Sequence, residues 1–465
     1  MSAMDRMGPL DASFLFLEDG ITHLHIASCA VFAGPAPSYD EVAAAMTAKL
    51  DQVPRYRQVV RFVPLELGLP VWLDDPHFSL EYHLRHTALP APGGPAELRQ
   101  LMGRLMSQEL DRRRPLWEAY VIEGLEGDRW ALVTKIHHCM ADGVSGTDLL
   151  SVILDQEPRP AASPVVAFAP KGQPSDLKLA ADALVHLAKS PYEQLQAARR
   201  VLRKPGEAIT QLRELAGGVA SYARRLAPTE RSSIVGSIGP NRRWTWVGAE
   251  LDDLKTIRKH LGGTVNDVIL SVIAGGFRDL LMGRGEPVDE LVVRTLVPVS
   301  VRREDERGTY NNRVSAVFAD LPVSIGEPLE RLAAVCGQME ALKASHQTLA
   351  GESLTSLGEM TPFAGIVLGE RAAMAVLRRL PQHSINTVTT NVPGPQFPLY
   401  LAGREMLDYL PFVPIAHGVR IGVAITSYNG HVAFGITGDY DTAPDIDVLA
   451  RGIEDGITEL LKAAQ

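Results

Sequence analysis

The chain has 465 residues, 46% of them hydrophobic, and a formal net charge of -9. That length predicts two or three domains with a sizeable core, and the acidic balance argues against general nucleic-acid binding, which needs a basic surface to neutralise phosphates. Its three cysteines, Cys29, Cys139 and Cys336, are far apart and odd in number, which argues against a disulfide framework or zinc knuckle and for a reducing cytoplasm.

The N-terminal segment lacks a basic run followed by an apolar one, so no signal peptide is expected. No stretch of about 18 uncharged apolar residues occurs, so no membrane-spanning helix is expected either. A chain of this kind that works on lipids would dock on a membrane. Residues 21–33, β-branched and apolar, predict a strand. Residues 38–50 carry Val42, Ala45, Met46 and Leu50 at helical spacing, and 96–110 read as a second helix. Arg114-Pro115 breaks that helix before a strand at about Trp117–Ile122. Glu126-Gly127-Asp128 is a turn, and Arg129–His137 is the next strand, giving a hairpin. A helix is expected from Gly143 to Leu154.

Residues 157–175 are rich in Pro, Ala and Ser and predict a linker, and 176–226 predict helices. From Lys171 to Trp246 there are 13 Lys and Arg against 6 Asp and Glu. That is either a solvated helical face or a surface for anionic lipid headgroups or a CoA phosphate. Beyond it, Leu251–Leu261 reads as a helix. Thr264-Val265-Asn266-Asp267 has the form of a capping box opening an apolar helix to about Leu281. Residues 291–300, 312–320, 383–391 and 419–427 predict strands. No solenoid-length repeat is visible. The chain divides into an N-terminal unit at 1–170, a basic helical crossover at 171–240 and a C-terminal unit at 241–465.

The hairpin ends in His137-His138-Cys139-Met140-Ala141-Asp142-Gly143, the pattern HHxxxDG at a strand–loop–helix junction. Side chains alternate faces along a strand, so His137 and His138 point apart, and geometry alone does not say which enters a reaction channel. A neutral imidazole there takes a proton from an alcohol or amine attacking a thioester, an effect typically of ~10²–10⁴-fold. No covalent enzyme intermediate is needed and no GxSxG elbow is present; Cys139 has no evident role. A metal site using His137, His138 and Asp142 is the competing reading, weakened by the alternation and by the lack of further ligand motifs. Asp142 is placed to pair with an arginine, Arg294 or Arg303. Gly143 removes a Cβ where a ligand passes close to backbone.

HHCMADG, with Arg114-Pro115-Leu116-Trp117-Glu118 before it and Asn266-Asp267-Val268 after it, resembles the bacterial wax ester synthase/diacylglycerol acyltransferase family. So do Pro9-Leu10-Asp11-Ala12, Asn311-Asn312-Arg313-Val314-Ser315 and Thr390-Asn391-Val392-Pro393-Gly394-Pro395, in order along nearly the whole chain. The resemblance implies an α/β fold with mixed sheets. Two domains of the CoA-dependent acyltransferase type, like chloramphenicol acetyltransferase, would face each other across a tunnel. It implies a long-chain acyl-CoA donor, with CoA as part of a substrate and no cofactor or metal. The acceptor would be diacylglycerol, for triacylglycerol synthesis, or a fatty alcohol, for wax ester. It implies His138 as base, His137 as support and Asp142 as structural.

The oxyanion of acyl transfer needs a donor, for which Asn266 is the first candidate and Thr390 the weaker one, with Asp267 capping its helix. Pro115, Leu116 and Trp117 read as packing near the tunnel, and Gly394 as shaping its loop. The expected location is cytoplasmic, at the inner membrane face or lipid droplets. Two alternatives remain: a condensation-type acyltransferase acting on carrier-bound thioesters, and a catalytically weak droplet-binding protein. Acyl-chain length, acceptor preference and oligomeric state are not readable.

Overall fold

The computed structural model describes residues 4–140, 152–159, 167–185, 231–300, 314–344 and 384–465. Two six-stranded mixed sheets organise it. In chain order the strands are β1 His25–Ala33, β2 Gln58–Arg61, β3 Val71–Asp74, β4 Leu84–Ala88, β5 Trp117–Leu125, β6 Arg129–His137, β7 Val235–Gly236 and β8 Arg242–Glu250. They continue with β9 Val293–Ser300, β10 Val314–Leu321, β11 Thr387–Pro393, β12 Tyr400–Leu401, β13 Arg404–Phe412, β14 Gly418–Val419, β15 Ile421–Tyr428 and β16 His431–Asp439.

The first sheet runs β12-β13-β1-β6-β5-β4 and the second β10-β9-β11-β15-β16-β8. Both are antiparallel except for β4/β5 in the first and the β9/β11/β15 run in the second. Strand β13 comes from the C-terminal half yet pairs with β1, Ala27 opposite Phe412. The chain therefore crosses back to complete the first sheet.

Alternation decides what each face of β6 covers. Trp130, Leu132 and Ile136 join Phe32, Met46 and Trp117 in one core, with Trp130 stacked on Phe32 at 4.4 Å. Ala131 and Val133 face the other way, onto the helix Pro95–Met106. That second core also holds Trp244 and Ala433 of the second sheet, so it is the seam between the halves. At the seam Trp244 Nε1 donates to the Pro411 carbonyl at 3.0 Å. A Cβ at Gly435 would lie 1.8 Å from that same oxygen, so a glycine there is what lets the sheets approach. The opposite face of the second sheet is closed by the helices Val265–Gly283 and Ile446–Ala463, through Val272, Phe277, Leu449 and Ile453.

The elements read from sequence within the described residues are found with shifted ends, but strands β4, β8, β13 and β16 and the helices Pro9–Leu17, Pro328–Ala344 and Ile446–Ala463 are not among them. The helix expected over 96–110 stops at Met106, where Ser107 accepts the cap position. The helix expected from Gly143 and most of the basic helices over 176–226 lie outside the described residues. Within them, 176–185 is helical and 167–175 has no regular structure.

Candidate active site

Strand β6 ends at His137, and His138–Met140 form a single 3-10 turn. The backbone of the histidine pair is clamped from both sides. His137 N–H donates to the Leu116 carbonyl at 2.9 Å and His138 N–H to the Leu24 carbonyl at 2.8 Å. Leu116 belongs to the Pro115-Leu116-Trp117 segment, whose place is thereby explained. Leu116 is buried and offers its carbonyl to His137. Trp117 is also fully buried, donates Nε1–H to the Tyr56 carbonyl at 2.8 Å and stacks on His83 at 4.7 Å. Trp117 packs, as expected, and the segment holds the histidine turn from below.

The two imidazoles diverge, as alternation requires. The His138 ring stacks on Phe14 with centroids 3.9 Å apart. Its Nδ1 is buried, with no partner on another side chain among the described residues. Burial pushes its pKa down to about 4, against a smaller opposing contribution from its own backbone. At neutral pH this ring is uncharged and able to accept a proton.

His137 is fully buried and lies opposite His25 in the β1/β6 register. Its Nδ1 accepts the Cys139 N–H at 3.1 Å, and its Nε2 lies 3.3 Å from Glu18 Oε2. Glu18 also meets His25 Nε2 at 3.1 Å and Arg112 Nη2 at 2.6 Å. Burial resists ionisation of Glu18, but the His137 hydrogen bond and the close His25 imidazole override it and hold the carboxyl far below its usual range. Burial pushes His25 down to about 3, so the pair is carboxylate and neutral imidazole. Glu18, His25 and Phe14 escaped sequence reading. The available signal was His23-Leu24-His25, two imidazoles at strand spacing opposite a strand that ends in histidine. The Cys139 thiol is buried beside Leu15, Leu110 and Leu116, and burial raises its pKa well above the ordinary thiol value, so it packs.

Two residues before His137, Lys135 is buried with 0% exposure. It resolves its charge at the C-terminal end of the helix Pro95–Met106, donating to the Leu105 carbonyl at 3.0 Å and to the Gln108 carbonyl. Carbonyls at that end carry the negative end of the helix dipole. Burial brings the ammonium down to about 8.

In the second half Thr264 caps the helix Val265–Gly283. Its hydroxyl accepts from Asp267 N–H at 3.2 Å, and Asp267 Oδ2 accepts from Thr264 N–H at 2.8 Å, so Asp267 is a capping residue. Asn266, on the first turn, accepts from Asn391 Nδ2 at 3.4 Å through its own Oδ1. That leaves the Asn266 amide nitrogen as a donor. The β11/β15 register pairs Asn391 with Ile425 on the helix-covered face, and Thr390 with Ala424 on the face that meets the first sheet. The two oxyanion candidates, Asn266 and Thr390, therefore lie on different sides of β11. Gly394 donates its N–H to the Ser427 carbonyl at 2.8 Å, and a Cβ there would lie 2.4 Å from the same oxygen, so it shapes its loop.

Asp142, Gly143 and Arg303 lie outside the described residues. Arg294 pairs with Asp320 at 2.7 Å. Among the described residues no group of three or more His, Cys, Asp or Glu is placed to hold a metal ion.

Comparison with known proteins places the chain in a family. Residues 7–269 match the wax ester synthase/diacylglycerol acyltransferase catalytic domain, and residues 310–461 match the C-terminal domain of the same family. The chain belongs to this family. A probable diacylglycerol O-acyltransferase of Mycobacterium tuberculosis is 37% identical over 460 residues, 98% of this chain and 96% of the relative. The wax ester synthase/diacylglycerol acyltransferase of Marinobacter aquaeolei VT8 superposes with a TM-score of 0.67 at 25% identity, covering 99% of each chain. The first condensation domain of the CDA synthetase superposes with a TM-score of 0.63 over 99% of this chain and 96% of its own. At 17% identity it shares the fold alone. The protein is thus an acyltransferase with the two-domain, CoA-dependent acyltransferase fold expected from its motifs.

Proposed function

We propose that the protein transfers a long-chain acyl group from acyl-CoA to diacylglycerol, forming triacylglycerol, with fatty alcohols as second acceptors that give wax esters. The observation that carries this reading is the His138 ring, uncharged, held between Phe14 and a clamped backbone at the end of β6. The acceptor hydroxyl gives its proton to His138 as its oxygen attacks the thioester carbonyl. The C–S bond then breaks and CoA leaves as a thiol, taking the proton back. The hydrogen bond to the carbonyl oxygen as it gains charge comes from Asn266, at the N-terminus of its helix, or from Thr390, on the face of β11 that meets the first sheet. His137 supports the turn and Asp142 holds the loop beyond it. Gly143 leaves room for the donor in a tunnel between the halves, and no cofactor is required.

No helix among the described residues is long and apolar enough to cross a membrane. The lipid acceptor therefore points to docking on an inner membrane face or lipid droplet in the cytoplasm, through the basic stretch Lys171–Trp246. Reversal of Arg199, Arg200, Arg203 and Lys204 is expected to weaken flotation with anionic liposomes at low salt; unchanged flotation would remove that surface from the account.

Purified protein given labelled palmitoyl-CoA, with dioleoylglycerol and hexadecanol in competition, tests the reaction. Label is expected mainly in triacylglycerol. Transfer only from a carrier-bound thioester would favour condensation-type chemistry, and droplet binding with no transfer would favour a binding role.

A further inference from the structure

We infer that Glu18 is the positioning residue of the histidine pair: its carboxylate selects the tautomer of His137, and through His137 and Leu24 it sets the turn that presents His138. This rests on the acyl-transfer reading of the same site. Two routes run from the carboxylate to the His138 backbone.

The first route passes through the imidazole. His137 Nδ1 accepts the Cys139 N–H at 3.1 Å, so it carries no proton. The ring proton is then on Nε2, facing Glu18 Oε2 at 3.3 Å. In the other tautomer two N–H groups would confront each other at Cys139, while a lone pair would face the carboxylate. The amide so held belongs to the turn His138–Met140. The second route passes through Leu24. Glu18 Oε1 accepts the Leu24 N–H at 3.2 Å, and the Leu24 carbonyl accepts the His138 N–H at 2.8 Å.

The remaining neighbours fix the charge of Glu18. Arg112 donates to Oε2 through Nε at 3.1 Å and Nη2 at 2.6 Å, and His25 Nε2 lies 3.1 Å from Oε1. Both oxygens therefore face donors. A glutamine has one acceptor oxygen, and its amide N–H groups would be turned either on the Leu24 N–H or on His137 and Arg112. A carboxylate satisfies both sides; a neutral isostere satisfies one.

The test compares wild type with Glu18→Gln and Glu18→Asp by steady-state kinetics and by ¹⁵N resonances of the His137 ring. Wild type is expected to show the Nε2–H tautomer. Glu18→Gln is expected to lower kcat on the order of 10²-fold, as small misplacements of catalytic groups do. Its KM for acyl-CoA should be nearly unchanged, and its His137 signals should move toward the other tautomer. Glu18→Asp, which keeps the charge, should recover part of kcat. Unchanged kcat in Glu18→Gln, or a lost kcat with unmoved ring signals, would overturn the inference. So would an Nδ1–H ring in wild type, which needs no variant to fold. Because the ring signals do not depend on turnover, absence of transfer by wild type would count against the acyl-transfer reading and leave this inference to be decided separately.

Discussion

At the residue scale, burial keeps the His138 and His25 imidazoles of the site uncharged. Burial lowers His138 to about 4, which leaves it a weak base that is uncharged across the physiological range. Proton acceptance needs the neutral form, and that form predominates above the pKa. The pH profile of kcat/KM is therefore expected to stay flat from about pH 8 to 6 and to fall only as pH approaches 4. An acid limb near the ordinary histidine value of 6.5 would place a solvated ring at the base position.

Stability responds to the cluster next door. His25 falls from 6.5 to about 3 in the folded state, so its contribution is complete above 6.5 and is lost as pH drops from there toward 3. Glu18 is depressed too, so its contribution is complete above its ordinary value of 4.5 and is lost below it. Urea midpoints are expected to hold above pH 7 and to decline from about 6.5. Each unit of depression is worth about 1.4 kcal/mol. A His25→Gln variant should flatten the upper part of that decline; an identical slope would show that His25 does not titrate in this way.

At the element scale, capping and close approach make the sharpest predictions. Thr264→Ala removes one side of a reciprocal cap and is expected to cost about 1 kcal/mol in denaturant unfolding. It should also loosen the first turn, where Asn266 sits. Gly435→Ala places a Cβ against the Pro411 carbonyl that also receives Trp244. Overpacking of this kind costs about 1–3 kcal/mol, and a melting temperature equal to wild type would mean the seam can open at no cost.

The same elements show where sequence suffices. Arg129–His137 and Leu251–Leu261 were readable to the residue because period, turn and cap coincide there. The Thr264/Asp267 box was readable because both partners lie within three residues. Strand β13 was not read from the sequence, and nothing local would assign it to β1, because a strand's pattern specifies its faces and not its neighbour. Glu18 was unreadable for a related reason. It stands 119 residues from His137, and only the β1/β6 pairing brings the helix Pro9–Leu17 and its trailing loop against the histidine turn.

At the scale of the whole molecule, the second half holds the loop that clamps the first half's histidines. Arg242, buried at the start of β8, donates to the Ile21 carbonyl and to those of Gly239 and Asn241. Burial lowers its pKa to about 10, which still leaves it cationic at neutral pH. His417 Nε2 lies 3.0 Å from Asp19 Oδ2 in the same loop. Replacing Arg242 with Met would leave those carbonyls without their charged donor and bury no guanidinium in its place. The expected outcome is a lower melting temperature together with reduced kcat, since Leu24, which holds the His138 N–H, follows directly on this loop. Reduced stability with full kcat would show that the halves cooperate in folding but not in setting the site.

The central claim is that His138, and not its neighbour, carries the proton. Triacylglycerol formation from labelled palmitoyl-CoA and dioleoylglycerol by wild type, His137→Ala and His138→Ala, each confirmed folded by its unfolding transition, addresses it most directly. The account predicts a loss of ~10²–10⁴-fold in His138→Ala, the range expected for removing a general base, with residual turnover that no longer follows the acid limb near pH 4. A folded His138→Ala that turns over like wild type would contradict it.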